Sequence, residues 1–530
     1  MTVSKLYLKQ NVVLEPLINQ WYAWSYLISP VTAAMYIVNS HLKIMQSFIA
    51  APQVHIAALK NSEMMGGPFI NYSPSKVDEI AALMEKTIKE QAHMLELAEA
   101  IKTFEGNLMH EANGYSIEPI YQKVPERLKG YVELVYDLNN HPSIRFIEGL
   151  LYKSKYYNQS SQSLALSLLN NEEKRSFVFS TPRLEGNEEL HLNIPFISDV
   201  IDDLFKMKRT PNSLEHIKER LGIKHKDEQL FASFFTEEAP RPSVKYTDDG
   251  VRIRYFGHAC VLIESKDISI LCDPVISYKS DTEVPRYTYA DLPESIDYLL
   301  ITHNHQDHCL FETLLQLRHK TKNVIVPKNN GGGLADPSLK FILQQIGFQK
   351  VIEIDDMETL NIAGGTITGL PFLGEHADLN IRTKSAYLVN IKANLILLAA
   401  DSNNIEPKLY QHIYDHFGNI DILFLGMECD GGPLTWLYGS LLTNQLSRKM
   451  DRSRRCDGSN YEKAISIVSQ LNPKQVYVYA MGQEPWLTYI TSIQYTEKSR
   501  PIVESNTLVE ECRNRGIEAE RLFGQKEIFL

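Results

Sequence analysis

The stretch Ile301-Thr302-His303-Asn304-His305-Gln306-Asp307-His308 decides the reading of this chain. Three histidines and one aspartate fall within six positions. The apolar run Tyr298-Leu299-Leu300-Ile301 leads into them. A short buried strand ending in a tight loop would send all four side chains toward its C-terminal end. His303 and His305 are two apart and share a face in extended backbone. Asp307 and His308 then turn to a second point close by. Imidazole donors beside a hard carboxylate, grouped in this way, are the layout of a two-metal site. A histidine-rich surface loop is the bland alternative and would be preferred for an isolated pair. The full spacing after a buried strand argues against it.

Working outward, Tyr255-Phe256-Gly257-His258-Ala259-Cys260-Val261-Leu262-Ile263-Glu264 and Ile270-Leu271-Cys272-Asp273-Pro274 lie upstream. Downstream, Asp401 follows Leu395-Ile396-Leu397-Leu398-Ala399-Ala400. Together with the histidine loop these segments resemble the signature of the metallo-β-lactamase superfamily. The resemblance implies an αββα sandwich from about Val251 to the C-terminus, with Asp401 as the bridging aspartate. The strand pattern agrees with an α/β layer fold. Arg252–Tyr255 alternates, Val261–Ile263 and Asn323–Pro327 read as strands, and Gly331–Gly333 reads as a loop. Leu388–Ile391 and Asn394–Leu398 read as a hairpin, Ile422–Leu425 and Val476–Tyr479 as late strands, and Tyr461–Gln470 as a helix.

The chain has 530 residues, which implies two or three domains. Ala239-Pro240-Arg241-Pro242 has a linker's composition. The expected division is therefore 1–242, a mixed α/β N-terminal domain for dimerisation and substrate access, and 243–530, the catalytic sandwich. A hydrophobic content of 44% suits a large core. The net charge of −11 argues against a nucleic-acid partner. No apolar run approaches the length of a membrane span, and Met1-Thr2-Val3-Ser4-Lys5 opens no signal-peptide core. Six cysteines lie scattered without a CxxC pair, as expected for reduced thiols in a cytoplasm. Cys309, directly after the metal loop, reads as a buried small residue rather than a ligand.

In the N-terminal half, Trp21-Tyr22-Ala23-Trp24-Ser25-Tyr26-Leu27 reads as domain core or dimer interface. Ser73 or Ser75 is expected to cap a long helix with an apolar stripe from Val77 to Ile101, ending at Gly106. Residues 107–235 carry no readable motif, and Asn158–Ser163 is polar enough for a loop. No internal repeat is present. The basic run Arg448-Lys449-Met450-Asp451-Arg452-Ser453-Arg454-Arg455 is either a solvated face or a docking patch for an acidic partner or phosphate-bearing arm.

Two features set the ligand set apart from that of a superfamily hydrolase. Either Glu375 or His376 could face the metal, because strand neighbours point to opposite sides. No histidine follows His416, so the late ligand histidine common in the hydrolases is absent, and Tyr479-Ala480-Met481-Gly482 stands where it would be sought. With Glu375, the first metal has His303, His305 and Glu375. The second has Asp307 and His308, bridged by Asp401. Two histidines and a carboxylate on one face suit non-haem iron that activates O₂. The three carboxylates offset most of the charge of two divalent ions. With His376 instead, zinc and hydrolysis regain ground.

This combination resembles the di-iron oxygenase family that includes the chloramphenicol-biosynthesis β-hydroxylase. Gln20–Leu27, Ala51-Pro52-Gln53-Val54-His55 and Gly66-Gly67-Pro68 resemble its N-terminal domain. The resemblance implies a homodimer, two irons, O₂ as co-substrate and an external electron donor. It further implies β-hydroxylation of an amino acid held as a thioester on the peptidyl carrier domain of a nonribosomal peptide synthetase, within antibiotic biosynthesis. Glu428, after a buried strand, is an ordinary loop carboxylate or reaches the site from behind the ligands. The competing enzyme is a hydrolase with two zinc ions acting on a phosphodiester, lactone or thioester, Asp401 orienting the attacking water. A carrier-binding module without chemistry is the third reading. Five clustered ligands, His303, His305, Asp307, His308 and Asp401, weigh against it.

Overall fold

Apolar runs of four to seven residues build two seven-stranded sheets. The first runs Val351–Ile354, Thr321–Pro327, Ile296–Leu300, Ser269–Cys272, Val261–Glu264, Arg252–Tyr255 and Lys526–Phe529 in spatial order. The second runs Thr359–Ile362, Gly365–Leu370, Ala386–Ile391, Asn394–Leu398, Ile422–Gly426, Gln475–Tyr479 and Glu518–Arg521. The structure is a computed structural model that describes residues 5–169, 175–280 and 282–530, except the side chain of residue 63. The Met1–Ser4 start lies outside the described residues.

Between the sheets lies a buried layer with Ile270 and Ile325 from one and Val389, Ile396 and Phe424 from the other. Helices Lys408–Phe417, Tyr461–Leu471 and Arg500–Asn514 cover the second sheet's outer face. Helices Phe311–Leu317 and Leu339–Gln345 cover the first. This is the expected αββα sandwich, preceded by a mixed α/β N-terminal part. The hairpin at 388–398 pairs Ile391 with Asn394. Its turn residues Lys392 and Ala393 both have positive φ, the geometry that matches strand twist in a two-residue turn. Arg252–Tyr255 alternates polar and apolar residues, yet all four are buried. Arg252 and Arg254 are accommodated because both pair with buried Glu264, at 3.1 and 2.9 Å.

The N-terminal part contributes a four-stranded sheet, Trp21–Tyr22, Val12–Ile18, Gln162–Leu168 and Leu190–Leu192. Gln162 and Ser163, expected in a loop, therefore belong to a strand, and only Gln159–Ser161 form a short turn. The long helix is also broken differently from its sequence reading. Val77–Glu90 and Ala92–Glu111 are separate segments hinged at Gln91. Gly106 does not end the second, because it is half-buried where a Cβ would meet nothing within 4 Å, and the apolar stripe continues to Leu108. Ser73 bonds the Ser75 hydroxyl instead of capping the backbone.

Buried polar contacts tie this part to the sandwich. Arg175 bridges Glu312 at 2.9 Å and Glu15 at 3.0 Å, while the Tyr22 hydroxyl donates to Glu312 at 2.6 Å. Trp21 and Tyr22 are buried within the chain itself. The Ala239–Pro242 segment forms no helix or strand.

Candidate metal centre

The parallel strands Ser269–Cys272 and Ile296–Leu300 end side by side and release two loops toward the same point. From the first comes Asp273, buried, with a left-handed φ of 41°. From the second comes the loop carrying His303, His305, Asp307 and His308. Asp273 fastens the loops together: it accepts from the Thr302 amide at 2.7 Å, the Thr302 hydroxyl at 2.5 Å and His308 Nδ1 at 2.8 Å.

A carboxylate only accepts, so the His308–Asp273 bond puts a ring proton on Nδ1, and in the neutral ring that a metal would bind Nε2 keeps its lone pair. That Nε2 is 3.0 Å from Asp401 Oδ2. The same oxygen is 3.9 Å from His303 Nε2, so Asp401 stands between the two halves of the histidine cluster. His305 turns its other edge inward. Its Nδ1 is 2.7 Å from Glu375 Oε1 and its Nε2 is 2.8 Å from the Tyr438 hydroxyl.

Glu375 and His376 do not sit on a strand, so the expectation that they face opposite ways does not apply. They lie in a tight loop beyond the strand Gly365–Leu370, where Gly374, Glu375, Ala377 and Asp378 all have positive φ. At Gly374 a Cβ would come within 2.5 Å of Asn403, so only glycine lets the loop turn there. Both side chains consequently point inward, with His376 Nδ1 2.9 Å from Glu375 Oε2. Glu375 joins His303 and His305 in a trio of ligand atoms all within 4.8 Å of one another. His376 joins no such trio among the described residues. Two further trios are His303, His308 and Asp401, and His258, Asp307 and His308.

Burial pushes the Glu375 carboxyl up, but the facing His305 and His376 imidazoles outweigh it and hold it down at about 2. Burial, reinforced by the neighbouring His308 and His305, drives His303 well below the ordinary imidazole value and favours its neutral, ligating form. At His308 burial works the same way, yet the Asp401 and Asp273 carboxylates overcome it and raise the pKa. His303 Nε2, His308 Nε2, Glu375 Oε2 and Asp401 Oδ1 are buried and, among the described residues and despite the close charged neighbours, make no hydrogen bond of good geometry. Leaving so many polar atoms unpaired in one place is costly. Two divalent ions would satisfy them, so these residues fit a dinuclear centre.

Cys309 is buried, and burial raises its thiol pKa. It enters no ligand trio among the described residues. Glu428 accepts from the Asp430 amide at 2.9 Å and from the Tyr495 hydroxyl. Burial pushes its pKa up to about 8. It hydrogen-bonds none of the candidate ligands among the described residues. Sequence reading assigned no role to Asp273, Tyr438 or His258. Asp273 carried a usable signal, since it ends an apolar run immediately before Pro274, as His303 ends another. Tyr438 carried none, lying 133 residues from its partner.

A cavity of about 620 Å³ opens beside the centre. Trp21, Trp24 and Tyr36 form one wall, Pro433 and Trp436 another, and Gln306 of the ligand loop touches it from below. The basic run forms a helix, Arg448–Ser453, at the edge of this second wall. Asp451 of that helix accepts from the Thr435 amide at 2.9 Å, next to Trp436.

Residues 7–240 match the family described as "Diiron non-heme beta-hydroxylase N-terminal domain", and residues 252–438 match a "Beta-lactamase superfamily domain". Over 532 aligned residues, 99% of both chains, the sequence is 40% identical to the 4-amino-L-phenylalanyl-[CmlP-peptidyl-carrier-protein] 3-hydroxylase of Streptomyces venezuelae. The crystal structure of CmlA, a diiron β-hydroxylase from the same organism, is similar with a TM-score of 0.93 and 39% identity over 100% of both chains. A variant of that enzyme gives a TM-score of 0.91, also at 39% identity, over 99% of this chain and 100% of its own.

Proposed function

The chain belongs to the diiron non-haem β-hydroxylase family, and from that premise we propose that it hydroxylates the β-carbon of an amino acid tethered to a peptidyl carrier domain of a nonribosomal peptide synthetase. The observation that carries the reading is the placement of Glu375, not His376, against His303 and His305. A first metal with two imidazoles and a carboxylate suits iron and O₂. A second metal would take Asp307 and His308, with Asp401 between the two. When bound, two irons supply the reduction of O₂, one oxygen atom going to the substrate C–H bond and the other to water, with two electrons from an external donor.

The chain's own residues position the substrate and keep out water. The cavity walls of Trp21, Trp24 and Tyr36 suit an apolar or aromatic side chain. Gln306, between His305 and Asp307, is buried, and its side-chain oxygen has no hydrogen-bond partner among the described residues. That oxygen would accept from an N–H of the substrate or its carrier arm. Arg448, Lys449, Arg452 and Arg455 are exposed on or just beyond the basic helix, in a chain of net charge −11. They supply a local surface for an acidic carrier domain and its phosphate-bearing arm. The family resemblance supports a homodimer. A cytoplasmic setting is supported by the six free thiols. Hydroxylation is favoured over zinc hydrolysis by the full-length relationship to a hydroxylase as well as by Glu375.

The test is a single turnover with anaerobically iron-loaded, chemically reduced protein, a carrier domain bearing an aromatic aminoacyl thioester, and O₂. Mass spectrometry of the carrier should show the gain of one oxygen atom at the aminoacyl group. Release of the amino acid, or turnover with zinc in place of iron, would sink the proposal.

A further inference from the structure

His258 occupies the place where the absent late histidine would be sought. It follows the first strand of the sandwich in the segment Gly257-His258-Ala259, with a left-handed φ of 53°. Its carbonyl accepts from the Ala480 amide at 2.9 Å, and its ring Nδ1 accepts from the Gly482 amide at 3.2 Å. Tyr479–Gly482 therefore contributes no imidazole of its own but grips one that comes from 224 residues earlier. The ring is buried, and its Nε2 lies 3.4 Å from Asp307 Oδ2 with no other partner among the described residues.

A buried imidazole nitrogen facing a metal-binding carboxylate can do one of two things. It can coordinate the same metal, or it can donate a hydrogen bond to the carboxylate. The far side of the ring decides. At His308 that far nitrogen meets an acceptor-only carboxylate, so the near nitrogen keeps its lone pair. At His258 the far nitrogen meets a backbone N–H, which only donates. Nδ1 must then carry the lone pair, and in the neutral ring the proton sits on Nε2. A protonated nitrogen does not coordinate.

We infer that His258 is not a substitute ligand but a positioning residue that donates Nε2–H to Asp307 and orients its carboxylate toward the second metal. The inference rests on the dinuclear reading of the site. It would leave the second metal to be held by Asp307, His308 and Asp401, without a fourth protein donor from this segment. It also accounts for the left-handed backbone at a bulky residue, since strain of this kind persists where surrounding contacts enforce it.

The experiment is anaerobic Fe(II) titration of wild type, His258→Gln and His258→Leu, with melting curves of the metal-free proteins as the folding control. Wild type should take up two irons, and if it does not, the dinuclear reading fails before this inference is reached. His258→Leu should weaken one of the two irons by roughly 10- to 100-fold, the usual effect of losing a partner of a metal ligand. His258→Gln, which keeps a side-chain N–H, should restore affinity to within about threefold of wild type. Loss of one iron from both variants alike would overturn the inference, as would unchanged affinity in His258→Leu. A crystal structure of the iron-loaded wild-type protein supplies a check that does not depend on variants folding. His258 Nε2 more than about 3 Å from iron supports the brace, and roughly 2.1 Å makes it a ligand.

Discussion

His305 Nδ1 stands 2.7 Å from Glu375 Oε1, while the opposite edge of the same ring meets the Tyr438 hydroxyl at 2.8 Å. Tyr438 thus fixes which nitrogen of His305 faces Glu375. If Glu375 and not His376 completes the first metal, the two alanine variants will differ. Glu375→Ala should hold close to one iron per chain after anaerobic reconstitution, and His376→Ala close to two. Iron counted against protein concentration decides the matter, and the reverse order would favour the zinc-like ligand set.

Asp273 touches no metal in the arrangement described, yet it sets the tautomer of His308 and pins Thr302. Asp273→Asn can present an amide where a proton acceptor is needed. It should weaken iron binding by roughly 10- to 100-fold. Titration with Fe(II) under anaerobic conditions reads this directly, with a circular dichroism spectrum to show that the fold persists.

Reversing charge on the basic helix should affect the carrier-bound substrate selectively. The double variant Arg448→Glu, Arg452→Glu should raise KM for the carrier-loaded amino acid about tenfold at low salt, with the difference shrinking as salt rises. Turnover of a small pantetheine thioester should stay near wild type. Equal losses on both substrates would make the helix a solvated face and nothing more.

Arg175 satisfies two buried carboxylates, Glu312 and Glu15. Arg175→Leu leaves Glu312 buried without its cation, although the Tyr22 hydroxyl still donates to it. A loss of about 3 kcal/mol is expected for removing one partner of such a group. Urea denaturation of the metal-free protein measures it. A loss below about 1 kcal/mol would show that the contact between the two parts does not depend on this cation.

Glu148 joins the parts a second time, accepting from the Ser338 amide at 3.0 Å and from Asn329 at 2.9 Å. Burial pushes its carboxyl from 4.5 up to about 7 despite those bonds. Between these values the folded chain keeps a proton that the unfolded chain has released. The stability contributed by this group is therefore complete below about pH 4.5 and falls as pH rises through 7. Melting temperature followed across that window should fall less steeply with pH in Glu148→Gln than in wild type.

Much of the candidate cluster was legible because its residues group by chain direction. His303, His305, Asp307 and His308 come from one strand end, and Asp401 from another, each announced by an apolar run. Glu375 was harder to place, because the loop around it turns through left-handed backbone and period-two logic fails there. His258 and Tyr438 are brought to the site by contacts across 224 and 133 residues, which local pattern does not encode. The break at Gln91 was likewise hidden, since an apolar stripe continues on both sides of it.

The cavity beside the candidate metal centre draws Trp21, Trp24 and Tyr36 from the start of the chain, while the candidate ligands all come after residue 250. Most of the cavity lining and all of the candidate ligands are thus written in different stretches of one sequence. On the proposed reading, a crossover between related genes that fell between these stretches would join an unaltered set of candidate ligands to a different cavity lining.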